Sequence, residues 1–217
     1  VSYLDEHDDA QRTGELIEAA GGRYLGIPGD ISDQDHRRQV VGRTVDELGR
    51  LDILVNNAAF QNPVDRPEDL TLEQWRRTFA TNIESTFFLT QAALEHMPEG
   101  SAVINTASIT GLQGHKTLLE YSATKGAIIT MTYSLAQALV DRGIRVNAVS
   151  PGPLMTRAAS GIAGFDGLMA AAVERSPVGQ LVDIMDVGFA CAYLATPYAR
   201  RMTGETLYVD GGVNIMA

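Results

Sequence analysis

The sequence predicts an α/β fold, a doubly wound parallel sheet with helices on both faces. Three observations point to it. Short apolar runs alternate with helix-length segments along all 217 residues, the order that βαβ units produce. Polar residues fall at or just past the carboxyl ends of the strands, at Asp30, Asn56, Ser108 and Ser150, where such sheets bind ligands. Finally, Tyr121 and Lys125 stand four residues apart in a helical segment, with Ser108 13 residues upstream of the Tyr at the end of an apolar run.

The elements follow in order. Val1 to Leu4 reads as a short strand. Asp8 to Ala20 reads as a helix stopped by Gly21-Gly22, a C-cap signal. Tyr24 to Pro28 is a strand ending at Gly29-Asp30. Ser32 is expected to cap a helix from Asp33 to Leu48, which ends at Gly49. Leu51 to Asn56 is a buried strand. Thr71 caps a long helix to about Met97, with Glu73 and Gln74 in its first turn. Pro98-Glu99-Gly100 turns the chain into the strand Ala102 to Thr106. Leu119 to Val140 is helical and closes near Gly143. Ile144 to Val149 is a strand terminated by Pro151-Gly152-Pro153. Helices are expected around Phe165 to Glu174 and Ile184 to Leu194. Thr206 to Val209 is the last strand, before Asp210-Gly211-Gly212. With no linker, repeat or low-complexity tract, residues 1–217 read as one domain.

Composition narrows the function. The chain is 45% hydrophobic and 20% charged, with a net charge of −10, the profile of a globular protein. Nucleic acid is not an expected partner, because phosphate neutralisation needs clustered Lys and Arg. No apolar run of about 18 residues suggests a membrane span. The acidic N-terminus lacks a signal peptide's basic region, so a cytoplasmic location is expected. Cys191 lies in an apolar helical pattern and reads as a buried small hydrophobe. His7, His36, His96 and His115 lack metal-ligand spacing, and no metal is expected.

The Tyr–Lys pair defines a proton-transfer chemistry. Side chains at i and i+4 share a helix face. An ammonium beside a phenol stabilises the phenolate and is expected to lower the Tyr121 pKa. A Ser108 hydroxyl reaching the same point can bond a substrate oxygen. Together they would protonate or deprotonate that oxygen while a hydride moves at the adjacent carbon.

The order of motifs resembles the short-chain dehydrogenase/reductases over essentially the whole chain, and with it a Rossmann-like fold. Asn56-Asn57-Ala58-Ala59 is similar to the family's NNAG. Asn82, Ser108, Tyr121 and Lys125 match its catalytic tetrad in order and spacing. Pro151-Gly152 matches its PG motif and Asp210-Gly211-Gly212 its DGG. The resemblance implies roles. Tyr121 is the acid or base, and Lys125 lowers its pKa and binds the nicotinamide ribose. Ser108 orients the substrate oxygen, and Asn82 holds a water in a relay to Lys125. Asp30 contacts the adenine with Ile31 beside it. Asn57 and Ala58 line the cofactor cleft, Pro151 and Gly152 flank the nicotinamide, and Thr156 lies near its carboxamide. Read without the resemblance, Asn56 and Asn57 are strand-end residues, Asp30 a turn cap, Asn82 a surface helix residue and Asp210-Gly211-Gly212 a turn.

One family feature is not found. The glycine-rich turn TGxxxGxG has no counterpart, and Val1 to Asp5 matches the family's second strand. A strand, turn and helix of roughly 35 to 40 residues would precede it. The chain is therefore expected to be an N-terminally incomplete domain, its first βα unit missing, that binds dinucleotide weakly or not at all. After the first strand come Leu4-Asp5-Glu6, with no Arg or Lys. Acids there repel a 2′-phosphate, so Asp5 points to NAD, with NADP the alternative.

The C-terminal part, from Thr156 to Phe165 through Asp210-Gly211-Gly212, is similar to the enoyl-acyl-carrier-protein reductases. Those relatives space their Tyr and Lys seven apart, and this chain keeps four. The expected reaction is therefore alcohol–ketone or alcohol–aldehyde interconversion on a small-molecule substrate, one that is apolar or acyl-thioester-like. Reduction of an enoyl thioester is the alternative, and a catalytically silent binding subunit is another. The resemblance also implies a dimer or tetramer formed through the two long helices. The faces involved carry Phe79, Phe87, Phe88 and Leu89 on one helix and Ile128, Ile129, Met131 and Leu135 on the other.

Overall fold

The computed structural model describes residues 1–154 and 165–216. Strands and helices alternate through it: β1 (Ser2–Tyr3), α1 (His7–Ala19), β2 (Ile27–Pro28), α2 (Gln34–Leu48), β3 (Ile53–Asn56), α3 (Leu72–Phe79), α4 (Ser85–Ala93), β4 (Ala102–Thr106), α5 (Thr110–Gln113), α6 (Leu119–Leu139), β5 (Arg145–Pro151), α7 (Phe165–Arg175), α8 (Ile184–Ala195) and β6 (Thr206–Val209). All ladders are parallel. Strands β3-β4-β5-β6 form one sheet, and β1 pairs with β2 in a second.

The sheet faces follow the period-2 rule. Val103 and Val146 are register partners and pack with Val41 of α2, Leu89 and Ala93 of α4, and Ala136 and Leu139 of α6. Ile104 and Val149 face the other way, onto Leu194, Val187 and Cys191 of α8. Helices therefore cover both faces. Cys191 packs at the edge of this second core, as expected for a small hydrophobe, and burial pushes its thiol pKa up.

The four-stranded sheet is unevenly enclosed. On β3, Ile53 and Val55 are both 45% exposed, although their register partners on β4, Ala102 and Ile104, are buried at 1% and 0%. Among the described residues β3 has a ladder partner on one edge only, and β1 and β3 are not paired. The segments expected as strands from Val1 to Leu4 and Tyr24 to Pro28 contract to two residues each. Arg37, on α2, stitches the loop after β2 by donating to the carbonyls of Ile31 and Ser32 at 2.9 and 2.7 Å.

Two local expectations change. The N-cap of α2 is Asp33, not Ser32: its carboxylate accepts from the His36 N–H, while the Ser32 N–H bonds the Asp30 side chain. The long helix from Thr71 is also not continuous. Thr71 caps it as expected, but a π-helical turn over Ala80–Glu84 separates α3 from α4. Such turns insert an extra residue per loop and re-aim side chains; here Asn82 sits inside it, fully buried.

Candidate active site

The carboxyl ends of β3 and β4 are joined to α4 and α6 by a buried polar layer. Asn56 on β3 donates to Asn105 Oδ1 on β4 at 2.9 Å and to Thr90 Oγ1 on α4 at 3.0 Å. Asn105 in turn donates to Thr132 Oγ1 on α6 at 3.0 Å. Asn56 is thus more than a strand end: it locks two helices to the sheet beneath the site. Asn105, Thr90 and Thr132 were not singled out by sequence reasoning, although an Asn directly after the apolar run 102–104, still within the strand, is a legible signal.

The four tetrad residues come together above this layer. Lys125 is buried, and its Nζ donates to the Thr106 carbonyl at 2.6 Å, 5.5 Å from the Tyr121 ring centroid. Burial lowers the Lys125 pKa to about 8. The approach of α6 to this strand end needs a glycine: a Cβ on Gly111 would lie 2.6 Å from the Lys125 carbonyl carbon. The segment Thr110 to Gly114 is therefore a packing turn over α6.

Tyr121 departs from expectation. Its pKa is raised, because burial of the phenol outweighs the lowering by the Ser108 hydroxyl. The Lys125 ammonium is turned to the Thr106 carbonyl and does not offset this. The Tyr121 side chain remains partly accessible, as does that of Ser108, whose Oγ accepts from Thr110 N and Oγ1.

Asn82 bonds protein through both atoms of its amide. Its Oδ1 accepts from the Phe60 N–H at 2.7 Å, and its Nδ2 donates to the Phe60 carbonyl and Thr124 Oγ1, each at 3.0 Å. It is a bracket between the segment after β3 and α6, not the surface residue one reading of the sequence allowed.

The residues assigned to a cofactor line the same rim. Asn57 and Ala58 are exposed past β3, and Asn57 Oδ1 accepts from Thr106 Oγ1 at 3.2 Å. Asp30 is exposed past β2, with Ile31 half-buried beside it. Burial would raise the Asp30 pKa, but hydrogen bonds from Ser32 and the charges of Arg77 and His36 lower it. Pro151 ends β5, and its carbonyl accepts from Ile109 N. Gly152 is required by contact: a Cβ there would lie 2.8 Å from Asp210 Cα. Asp210-Gly211-Gly212 is a turn closed by the Asp210 carboxylate, which accepts from Gly212 N and Asn214 N. Asp5 is exposed beyond β1, next to Glu6. Thr156 and the segment to Gly164 lie outside the described residues. Among the described residues, no cluster of three His, Cys, Asp or Glu could hold a metal ion, and no helix is long and apolar enough to cross a membrane.

A parallel sheet whose carboxyl rim carries a Ser, a Tyr and a Lys on converging elements defines an oxidoreductase of the short-chain dehydrogenase/reductases, and the chain belongs to that family. The family profile described as Enoyl-(Acyl carrier protein) reductase matches residues 1–214. An "Uncharacterized oxidoreductase YhdF" of Bacillus subtilis is 45% identical over 212 residues, 98% of this chain and 73% of the relative. The "NADPH-dependent aldehyde reductase 1, chloroplastic" of Arabidopsis thaliana is 36% identical over 98% of this chain and 75% of its own length. A solved short chain dehydrogenase from Burkholderia cenocepacia, in complex with NADP, superposes with a TM-score of 0.90 at 33% identity, covering 98% of this chain and 86% of that one.

Proposed function

We propose that the protein interconverts an alcohol and an aldehyde or ketone by hydride transfer with NAD(P), with Tyr121 as the general acid or base. The observation that supports this most is the Tyr121–Ser108–Lys125 convergence at the carboxyl rim, with Asn82 bracketing the helix behind it. A bound nicotinamide supplies or accepts the hydride. The residues of this chain do the rest. Ser108 holds the substrate oxygen, and Tyr121 gives it a proton in reduction or takes one in oxidation. Lys125, whose Nζ is held by the Thr106 carbonyl beside the Tyr121 ring, is placed to bind the nicotinamide ribose. The raised Tyr121 pKa suits an acid that must keep its proton until the oxygen needs it.

The described residues fit a dinucleotide at the rim: Asp30 and Ile31 for the adenine, exposed Asn57 and Ala58 as a wall, and Pro151 and Gly152 at the nicotinamide. The phosphate cradle is the part not found in the 217 residues. The unpaired edge of β3 is where a parallel strand with a glycine turn would join β1 to β3, and such a unit would complete the site. Asp5 and Glu6 favour NAD; the NADP-bound solved relative and the NADPH-dependent plant enzyme favour NADP.

The family profile's description gives the second reading, enoyl-thioester reduction. The four-residue Tyr–Lys spacing speaks for the carbonyl instead. Pairing of copies through α3–α4 and α6 is supported by exposed Trp75, Phe87, Phe88 and Tyr133. Leu89 and Ile128 are core residues and drop out of that face.

The test is turnover of aldehydes, ketones, alcohols and crotonyl thioester with each nucleotide, in wild type and Tyr121→Phe. Carbonyl or alcohol turnover that falls about 10²- to 10⁴-fold in the variant supports the reading. Turnover of crotonyl thioester alone would replace it with the enoyl reaction. Nucleotide binding without turnover would mark a binding subunit.

A further inference from the structure

Asn82 is not the only carboxamide that holds the catalytic helix. Gln74, eight residues earlier, makes the same set of bonds with different partners. Its Nε2 donates to the Asn62 carbonyl at 2.6 Å and to Glu120 Oε1 at 2.8 Å, and its Oε1 accepts from Asn62 Nδ2 at 2.9 Å. Both amides bridge the segment after β3 to α6. Asn82 joins Phe60 to Thr124, and Gln74 joins Asn62 to Glu120. The two attachment points on α6 lie on either side of Tyr121.

Glu120 is an expensive way to make such a link. Its side chain is 0% exposed, and Oε2 has no hydrogen-bond partner among the described residues. Thr78 Oγ1 is within donating distance of both the Gln74 carbonyl, at 2.9 Å, and Glu120 Oε1, at 3.3 Å, and so does nothing for Oε2. A buried carboxyl with one oxygen unbonded costs stability. Packing alone would be served better by an apolar residue, so the group is explained by what it locates.

We propose that Gln74 and Glu120 are positioning residues, a second clamp that with Asn82 and Thr124 fixes Tyr121 against the loop walling the cofactor cleft. This rests on Tyr121 being the acid or base. Small displacements of a reacting group lower rates steeply.

The test has a substrate-free arm and a kinetic arm, both on the whole protein. In the first, phenolate absorbance is followed with pH in wild type and in Gln74→Ala, each minus its Tyr121→Phe counterpart. Loosening the clamp lets water reach the phenol, so the raised midpoint falls toward that of free tyrosine. In the second, Gln74→Ala and Glu120→Ala each lower kcat about tenfold with little change in KM, and the double variant falls no further. Glu120→Gln keeps the Oε1 acceptor and most of the activity. An unmoved phenol midpoint overturns the clamp, as do multiplying losses or a lower Tm with kcat intact. Should Glu120→Ala not fold, Gln74→Ala and Glu120→Gln decide. Should wild type turn over no carbonyl, the catalytic reading fails separately and the titration still decides the clamp.

Discussion

The β4–β5–β6 side of the molecule and the β1–β2–β3 side are built to different standards. On the first, strand residues such as Val103, Ile104, Val146 and Val149 are fully buried, and the polar groups among them are cross-linked from β3 to α6. On the second, the ladder of β1 and β2 is two residues long, and β3 presents Ile53 and Val55 half in the open. Ser108, Tyr121 and Lys125, proposed for proton transfer, stand on the well-enclosed side. Asp30 and Asp5, proposed for the adenine end, stand on the other. The positions of the first three are set by contacts of α6 with the end of β4 and the turn after it, not by the β1–β2 pair.

One matched substitution measures this difference directly. Ile104→Ala removes a fully buried side chain between β4 and α8 and should cost roughly 2–5 kcal/mol. Ile53→Ala, on the neighbouring strand, removes a half-exposed one and should cost below about 1 kcal/mol by the area rule. Denaturant unfolding of both variants checks it. A cost at Ile53 close to that at Ile104 would break the comparison, because it would mean that the outer edge of β3 is covered in solution.

How much of this was legible in the sequence divides along physical lines. Helices and β4, β5 and β6 were readable because apolar run length and caps are local: Thr71 and Gly49 mark their helix ends as expected, and Thr206–Val209 is the strand predicted. Ser32 failed as a cap because three adjacent polar side chains could each serve, and only Asp33 meets the His36 N–H. The π turn at Asn82 has no local signature; what favours it are the bonds of Asn82 to Phe60 and Thr124, distant in sequence. The Gln74–Glu120 link spans 46 positions and was invisible for the same reason. The Tyr121 pKa direction was misjudged because helix spacing says where Lys125 begins, not that its ammonium turns to the Thr106 carbonyl.

That buried ammonium gives the next prediction, on the enclosed side. Lys125 has a pKa near 8 when folded against 10.5 as the ordinary value. Below pH 8 both folded and unfolded chains carry the proton, and the folded state bears the whole cost of burying the charge. Between pH 8 and 10.5 the unfolded chain holds more protons, so wild-type stability gains as pH rises through that window. The shift corresponds to about 3 kcal/mol, and loss of the bond to the Thr106 carbonyl offsets about 1 kcal/mol of it. Lys125→Met should therefore be inactive yet unfold a few degrees higher at pH 7, with the advantage fading toward pH 10. A Tm difference that does not vary with pH would show that burial is not what sets the lysine's pKa.

The smallest effect is expected on the open side. Asp5 is exposed beyond β1, and in the role proposed for it its charge would repel a nucleotide's 2′-phosphate through solvent. Replacing it by Asn removes one repulsion without disturbing any core contact. The ratio of kcat/KM for NADPH to that for NADH should rise about threefold at low salt, and the gain should shrink at about 1 M salt, where the screening length is near 3 Å. This salt dependence separates the open side from the enclosed one, since the Lys125 effect arises from a buried group that salt screens little. A cofactor preference that Asp5→Asn leaves unmoved at every ionic strength would place the discrimination on residues other than those after β1.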